Sequence, residues 1–501
     1  MKICYLIIVL SLLFPANIFA HELPDLGDVS QATISPFEEK QIGLRIMRNI
    51  RADPTYFDDP EINSYLNSLG FKLISSSNEA NPDQSFEFFA LQDASINAFA
   101  LPGGFMGFNS GLIIAAQSES ELAAVMAHEI AHVTQKHLAR MIAGQKYNMM
   151  MTLASLALAI IAARSNPQAG QAVLVTAQAR AIQSQLDFTR NHEKEADRIG
   201  LNILLDAGFD PRGMSAFFER LQKAGRFYEN GAPSYLRTHP LTFERIADIQ
   251  NRTQEMTYRQ VPNSIDFMLV RAKLQAFQGR PRKTIKQFES RLREKRYANE
   301  AVEYYGYIYA LLRDKKYQKA DEMLTHLYEI LNKGASDIPL EEHQIGKTIQ
   351  VKQPHVLAGA MIETLTAKVL LKAGKTSDAL EIYRSALKIY PQHRALMHGY
   401  ADALLHNQQA DIALEFVNKQ LRYIYNDVRL YQLQARSYAA LGEDMLQHQA
   451  QAEVYIGQGN YPAAVKQLKT ALRHDNGNFY QLSSVEARLK QLEKIMAADD
   501  D

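Results

Sequence analysis

Apolar positions fall at helical spacing in some stretches, in short runs in others and in one unbroken block, and each pattern predicts a different element. In SPFEEKQIGLRIMRNI, Ser35 stands as an N-cap, Pro36 at the first helical position and Glu38 three residues after the cap, so a helix begins here. Between Ser85 and Leu112 the chain reads SFEFFALQDASINAFALPGGFMGFNSGL, short apolar runs broken by glycine, which predicts two or three strands joined by tight turns. From Glu119 to about Ile142, Leu122, Val125, Met126, Ile130 and Val133 return at helical spacing and predict one helix. Met149 to Ala163 is uniformly apolar but too short to cross a bilayer unaided, and after Ser165-Asn166-Pro167 a second small-residue helix runs to about Leu186. The pair reads as a buried helical hairpin; the alternative is a surface that makes peripheral contact with membrane or an unfolded apolar client.

Beyond about Val261 the pattern is helix after helix in a recurring register. Small residues stand at Ala272, Gly306, Ala367, Ala401 and Ala435, in steps of 34 residues or near twice that. In AKVLLKAGKTSDALEIYRSALKIYP, the residues Ala367, Gly374, Ala379, Tyr383, Ala386 and Pro391 occupy the small, ring and terminating positions of a tetratricopeptide repeat. A further unit with Ala452, Gly459, Ala464 and Ala471 starts half a period after Ala435, so one helix serves both. Gly334 to Pro354 interrupts the array as a loop. The concave face of such a solenoid holds peptides or partner proteins.

Length calls for more than one domain. Lys+Arg and Asp+Glu balance at 55 each, so no global field favours nucleic acid or anionic lipid. The first twenty residues, MKICYLIIVLSLLFPANIFA, have an early lysine, an apolar stretch and Pro15 before Ala20, the pattern of an export signal cut after Ala20, although Ile18 replaces the usual small residue. An uncleaved membrane anchor is the alternative. Cleavage would remove Cys4, the only cysteine, and with it any disulfide, thiolate ligand or cysteine nucleophile. Cys4 also precedes the apolar stretch, which rules out a lipoprotein. Export without disulfides fits a bacterial envelope compartment.

The candidate chemistry lies in AVMAHEIAHVTQKH. Residues four apart on a helix differ by about 40° in rotation, so the imidazoles of His128 and His132 converge on one ion, and Glu129 beside them is placed to accept a proton from water. Two core histidines are the bland alternative, but it leaves Glu129 buried to no purpose. A catalytic zinc needs a third protein ligand and an open fourth position. NHEKEADRIG offers His192, Glu193, Glu195 and Asp197; Glu193 and Asp197 share a helix face, which assigns Glu193 to the metal and Asp197 to the second nitrogen of a ligating imidazole. His192 points elsewhere and reads as solvated. His137, five residues past His132, lies about 500° around a continuous helix and leaves the ligand face.

HEIAH followed at this distance by EKEAD resembles the HExxH and ExxxD pair of the M48 metallopeptidases, the group that includes the CAAX prenyl proteases. INAFALPGGFMGFNSGL is similar to that family's segment before the active helix, and THPLTFERIAD to its downstream His-Pro and Arg element. The resemblance implies zinc, one ion per chain, on His128, His132 and Glu193, with Glu129 as general base. His239 would be a fourth ligand that shuts the enzyme or a transition-state donor, its bland alternative being a cap for the helix near Leu241. Arg245 would stabilise the oxyanion or fix its loop. The implied fold is mainly α: a signal peptide (1–20), an α+β protease domain with a small sheet and a zincin-type active helix (21–262), and an all-α tetratricopeptide solenoid (263–501). The implied function is a periplasmic zinc endopeptidase with a chaperone-like role in outer-membrane protein assembly and quality control. Its clients would be misfolded or stalled outer-membrane proteins, and the repeats would dock it to the β-barrel assembly machinery. A chaperone or scaffold with little proteolysis is the alternative; a membrane-anchored prenyl-peptide protease is disfavoured by the lack of long spans.

Overall fold

A computed structural model describes residues 35–77, 84–143, 190–225, 234–254, 256, 259–332, 356–474 and 478–500. The expected signal, the apolar hairpin from Met149 to Leu186 and the interruption from Gly334 to Pro354 lie outside the described residues. Among the described residues no helix is long and apolar enough to cross a membrane.

Helix α1 (Pro36–Ala52) starts at the expected capping box: Glu38 N–H donates to Ser35 Oγ, and Ser35 N–H donates to the Glu38 carboxylate at 2.8 Å. In α2 (Pro60–Ser75) the N-cap is Asp59, whose side chain accepts from Glu61 and Ile62 N–H. The glycine-broken region forms three strands, β1 (Glu87–Leu91), β2 (Ala98–Leu101) and β3 (Phe105–Asn109), in the order β1-β3-β2. β2 and β3 are antiparallel, with Phe99 opposite Gly107, whereas β1 runs parallel to β3, with Phe88 opposite Met106. The turn between β2 and β3 needs glycine at Gly104: φ is +79°, and a Cβ would stand 1.9 Å from the Ser85 carbonyl oxygen. A short α3 (Ser110–Ala115) leads to α4 (Glu119–Thr134), capped by Ser118.

The helix expected to run on to about Ile142 is two helices. α4 ends at Thr134, Lys136 takes a left-handed conformation (φ 51°), and α5 (His137–Ala143) starts in a new direction. Next come α6 (Arg190–Asp206), α7 (Arg212–Gly225), α8 (Ser234–Thr238) and α9 (Phe243–Gln254). α6 lies along α4 and presses closest at Gly200, where a Cβ would sit 3.1 Å from the His128 backbone. That close approach brings the acids of α6 within reach of the α4 histidines.

Helices then follow one another: α10 (Ile265–Phe277), α11 (Pro281–Arg293), α12 (Glu300–Arg313), α13 (Tyr317–Asn332), α14 (Val356–Lys372), α15 (Thr376–Ile389), α16 (Arg394–His406), α17 (Ala410–Leu421), α18 (Val428–Leu441), α19 (Asp444–Gly457), α20 (Tyr461–Ala471) and α21 (Phe479–Asp500). All five register residues are buried or, at Gly306, pressed by a neighbour: a Cβ there would meet the Phe288 ring at 2.6 Å. As expected, α19 packs against both α18 and α20. The fold is mainly α. α2 packs on α4 and also on α10, α14 and α16, so one apolar core runs from Ile62 to Val369 across the expected boundary near residue 262.

Candidate metal centre

Every residue of α4 from Glu119 to Val133 is buried, so HEIAH sits in a helix enclosed on all sides rather than in an amphipathic surface helix. His128 and His132 turn their Nε2 atoms towards each other at 3.0 Å. From α6, Glu193 brings one oxygen to 3.5 Å from His128 Nε2 and the other to 3.5 Å from His132 Nε2. From the segment between α8 and α9, His239 places Nδ1 3.1 Å from Glu193 Oε1 and 3.4 Å from His128 Nε2. One donor atom from each of these four residues lies within 4.8 Å of the others, and all four residues are buried. A tetrahedral zinc with bonds of about 2.0–2.1 Å separates its ligand atoms by about 3.3 Å. The separations of 3.0–3.5 Å bracket that edge, the four donors all lie within 4.8 Å of one another, and converging imidazole lone pairs are repulsive without a cation between them, so the donor set fits a metal that would draw it together.

Charge points the same way. Burial resists ionisation of His128, but Asp197 and Glu193 outweigh it and lift its pKa to about 9. Burial also resists ionisation of Glu193, yet His239 and His128 hold its carboxyl well below the usual range. His132 is pushed well below its usual value by burial and by His128 beside it. Glu129 is raised, burial outweighing His239 and His128, and its Oε1 is buried with no aligned hydrogen-bond donor among the described residues, 3.4 Å from His239 Nε2. A carboxylate oxygen left open beside the donor set is where a water or substrate proton can be received.

The expected residues come together. Asp197 Oδ1 stands 3.1 Å from His128 Nδ1, behind the imidazole, off the best hydrogen-bond direction. Arg245 directs Nε and Nη2 to the two Asp197 oxygens at 2.7 Å each, and Nη1 to the Pro240 carbonyl and Glu193 Oε2 at 2.8 Å. Of the two roles expected for Arg245, this geometry matches holding the His239 loop and the acids of α6 in place.

His137 and His192 stay outside the group of four donors, as expected, but both pack closer to it than helix winding predicts. Because the helix breaks at Lys136, His137 turns back and is fully buried, with Nδ1 2.9 Å from His132 Nδ1. His192 is partly buried and stacks on His137, with ring centroids 4.6 Å apart and planes at 16°. Tyr235 carried no sequence signal. Its ring stacks on His239 at 4.8 Å, its hydroxyl is buried without a partner, and its N–H bonds to the Ile96 carbonyl just before β2.

Residues 60–253 match the peptidase family M48, and residues 370–437 match a tetratricopeptide repeat family. The chain is 33% identical to the putative beta-barrel assembly-enhancing protease of Vibrio cholerae, over 89% of this chain and 92% of that one. To the beta-barrel assembly-enhancing protease of Escherichia coli K12 it is 31% identical, over 95% of this chain and 92% of that one. The mitochondrial metalloendopeptidase OMA1 of Schizosaccharomyces pombe is 33% identical over 168 residues, 34% of this chain and 47% of that one. Similarity to the first two covers both the catalytic helices and the repeats. With a buried His-His-Glu-His cluster at its centre, the chain belongs to peptidase family M48 and is a metalloendopeptidase that carries a tetratricopeptide array.

Proposed function

We propose that this protein is a periplasmic zinc endopeptidase that acts in outer-membrane protein assembly and quality control. The observation that carries the catalytic part is the buried convergence of the His128, His132, Glu193 and His239 donors within 4.8 Å of one another, with the carboxylate of Glu129 beside them. Zinc held there would supply Lewis acidity, polarising a scissile carbonyl and acidifying water. Glu129 takes a proton from the attacking water and passes it to the leaving amine nitrogen. Asp197 orients His128 and is itself clamped by Arg245. β2 is an outer strand of the sheet and packs on α4, so an extended client paired with its free edge would run past the donors by backbone hydrogen bonds, with little demand on sequence.

As a fourth ligand His239 would fill the position that water needs, and the donor residues are almost fully buried. The resting site is therefore self-inhibited, and a client or partner opens it by displacing the loop between α8 and α9. We assign residues 21–262 to the protease unit and 263–501 to the repeat unit. The cellular role draws on the relatives named for β-barrel assembly, whose similarity extends through the repeats. The leader-like first twenty residues support the periplasm. The repeats would dock the β-barrel assembly machinery, and the clients would be misfolded or stalled outer-membrane proteins.

Metal content of the purified mature protein tests the site. One zinc per chain is expected in the wild type, with a marked fall in Glu193→Ala; nothing stoichiometric in the wild type overturns the assignment. Glu129→Gln should keep its zinc and lose casein cleavage. A variant that cleaves normally removes Glu129 as the base, and one that loses cleavage yet still supports assembly favours the chaperone role.

A further inference from the structure

α6 carries three acids in the run Glu193-Lys194-Glu195-Ala196-Asp197, and the site described so far uses only the outer two. Glu195 reaches the other side of the cluster, where its Oε2 lies 3.1 Å from His137 Nε2 and 2.9 Å from Arg140 Nη1. His137 in turn places Nδ1 2.9 Å from His132 Nδ1. An unbroken line of polar contacts therefore runs from Arg140 through Glu195 and His137 to the back of His132.

The protons along this line can be placed. His132 Nε2 faces His128 Nε2 and Glu193, so to offer a lone pair there the ring must carry its proton on Nδ1. That proton is donated to His137 Nδ1, which must be the accepting nitrogen. Neutral His137 then holds its own proton on Nε2 and donates it to the Glu195 carboxylate. The reversed arrangement would put a proton on His132 Nε2, where it blocks ligation, and would turn the His137 Nε2 lone pair against a carboxylate. The line favours only the first arrangement. His137 is fully buried, and His192 stacks over it at 4.6 Å, so its ring plane is fixed.

We propose that His137 is a positioning residue of the metal site: backed by Glu195, it holds His132 in the tautomer and orientation that present Nε2 to the ion. The proposal rests on His132 being a ligand. The two imidazoles of the motif are then oriented by different devices ending in the same way. Asp197, clamped by Arg245, stands 3.1 Å from His128 Nδ1 without an intervening group, and Glu195, held by Arg140, acts on His132 through an intervening imidazole. A hydrogen-bond partner behind a ligating histidine typically changes metal affinity by about 10–100-fold.

The test is the zinc dissociation constant, measured by competition with a chromogenic chelator on metal-stripped, reloaded full-length protein. His137→Phe keeps a flat ring against His192 and removes the acceptor; His137→Gln keeps a polar atom; Glu195→Leu cuts the line one step back. The expected result is a dissociation constant about 10–100-fold higher in His137→Phe, higher in the same direction in Glu195→Leu, and partly restored in His137→Gln. Thermal unfolding of the zinc-free forms separates this from a structural role, which would lower the midpoint and leave zinc affinity alone. Zinc binding within twofold of wild type in both His137→Phe and Glu195→Leu overturns the proposal while leaving the metal site intact. A wild type that binds no stoichiometric zinc sinks the metal assignment itself, and the relay with it.

Discussion

Lys273 on α10 is 2% exposed and places Nζ 2.6 Å from Asp59 and 2.5 Å from Glu61, at the N-terminus of α2. It joins the first repeat helix to the catalytic part through charge in an otherwise apolar seam. At an effective dielectric of about 20, a unit pair at this separation gains roughly 6 kcal/mol before desolvation, most of which burial of the three groups consumes. Lys273→Met keeps a flexible chain beneath the Tyr309 ring, 5.1 Å from Nζ in the wild type, but removes the direct ion pairs and leaves the carboxylates facing the more distant Lys368. Glu61 is fully buried, and one of its oxygens already has no partner. The substitution should cost about 3–5 kcal/mol, the usual penalty for stranding a buried charge. Neutralising these three groups, Asp59→Asn and Glu61→Gln with Lys273→Met, should recover part of that loss: the carboxylates are no longer stranded, but Lys368, which attracts both of them in the wild type, stays beside them. The chain has no tryptophan, so urea unfolding is best followed by helical circular dichroism. A cost below about 1 kcal/mol for Lys273→Met, or a triple variant no better than the single one, would refute the argument.

Two further outcomes follow. Glu363 on α14 is 6% exposed, and burial alone raises its pKa from 4.5 to about 7. Below pH 4.5 it is neutral folded and unfolded, and above 7 the folded state carries the full penalty. Glu363→Gln should therefore stabilise by about 2–3 kcal/mol at pH 8 and by almost nothing at pH 4, and equal gains at both would exclude the buried carboxylate as the cause. His239→Ala should retain zinc on three ligands and cleave casein faster than wild type; unchanged or lost cleavage would count against a plug.

The parts of the site legible in the sequence were those set by local geometry. His128 and His132 converge because four residues nearly complete a turn, and Glu193 and Asp197 share a face for the same reason, so both pairs could be read without tertiary information. The capping box at Ser35 belongs to the same class. What failed was an assumption of continuity. His137 does stay off the donor set, but by another route than winding the helix past Thr134: Lys136 adopts φ 51°, the helix stops there, and the imidazole turns to the back of His132. Lysine has no strong preference for that conformation, and the apolar spacing continues through Leu138 to Ile142, so nothing in the pattern marks the break. Parallel pairing of β1 with β3 was hidden similarly: alternation shows which residues face inward, and pairing direction depends on what packs over the sheet. Arg245 could be read only as an element of resemblance, because its contacts to Asp197, Glu193 and Pro240 join segments far apart in the chain.

These contacts bear on which part of the molecule opens. α2 is packed on α4 and on three repeat helices within a core whose members are almost wholly excluded from solvent, and Lys273 adds a buried ionic tie at its N-terminus. At the far end of the array, Arg48 of α1 lies over Tyr461, 5.1 Å from its ring centre. A hinge along the α2 seam would expose that core and strand the ion cluster, a cost of many kcal/mol for each opening. The His239 loop is tied down by far less. His239 N–H bonds to the Tyr235 carbonyl within its own short helix, Tyr235 N–H bonds to the Ile96 carbonyl, and Arg245 reaches the Pro240 carbonyl. A client strand pairing along β2 would arrive beside Ile96, where the second of those bonds is made. Freeing the loop, with His239 as the proposed ligand, displaces a few hydrogen bonds, one ligand and the buried Tyr235 ring, far less than separating α2 from the repeats. Opening should therefore begin at the segment from Tyr235 to Pro240, with α4, α6 and the first repeats moving as one body.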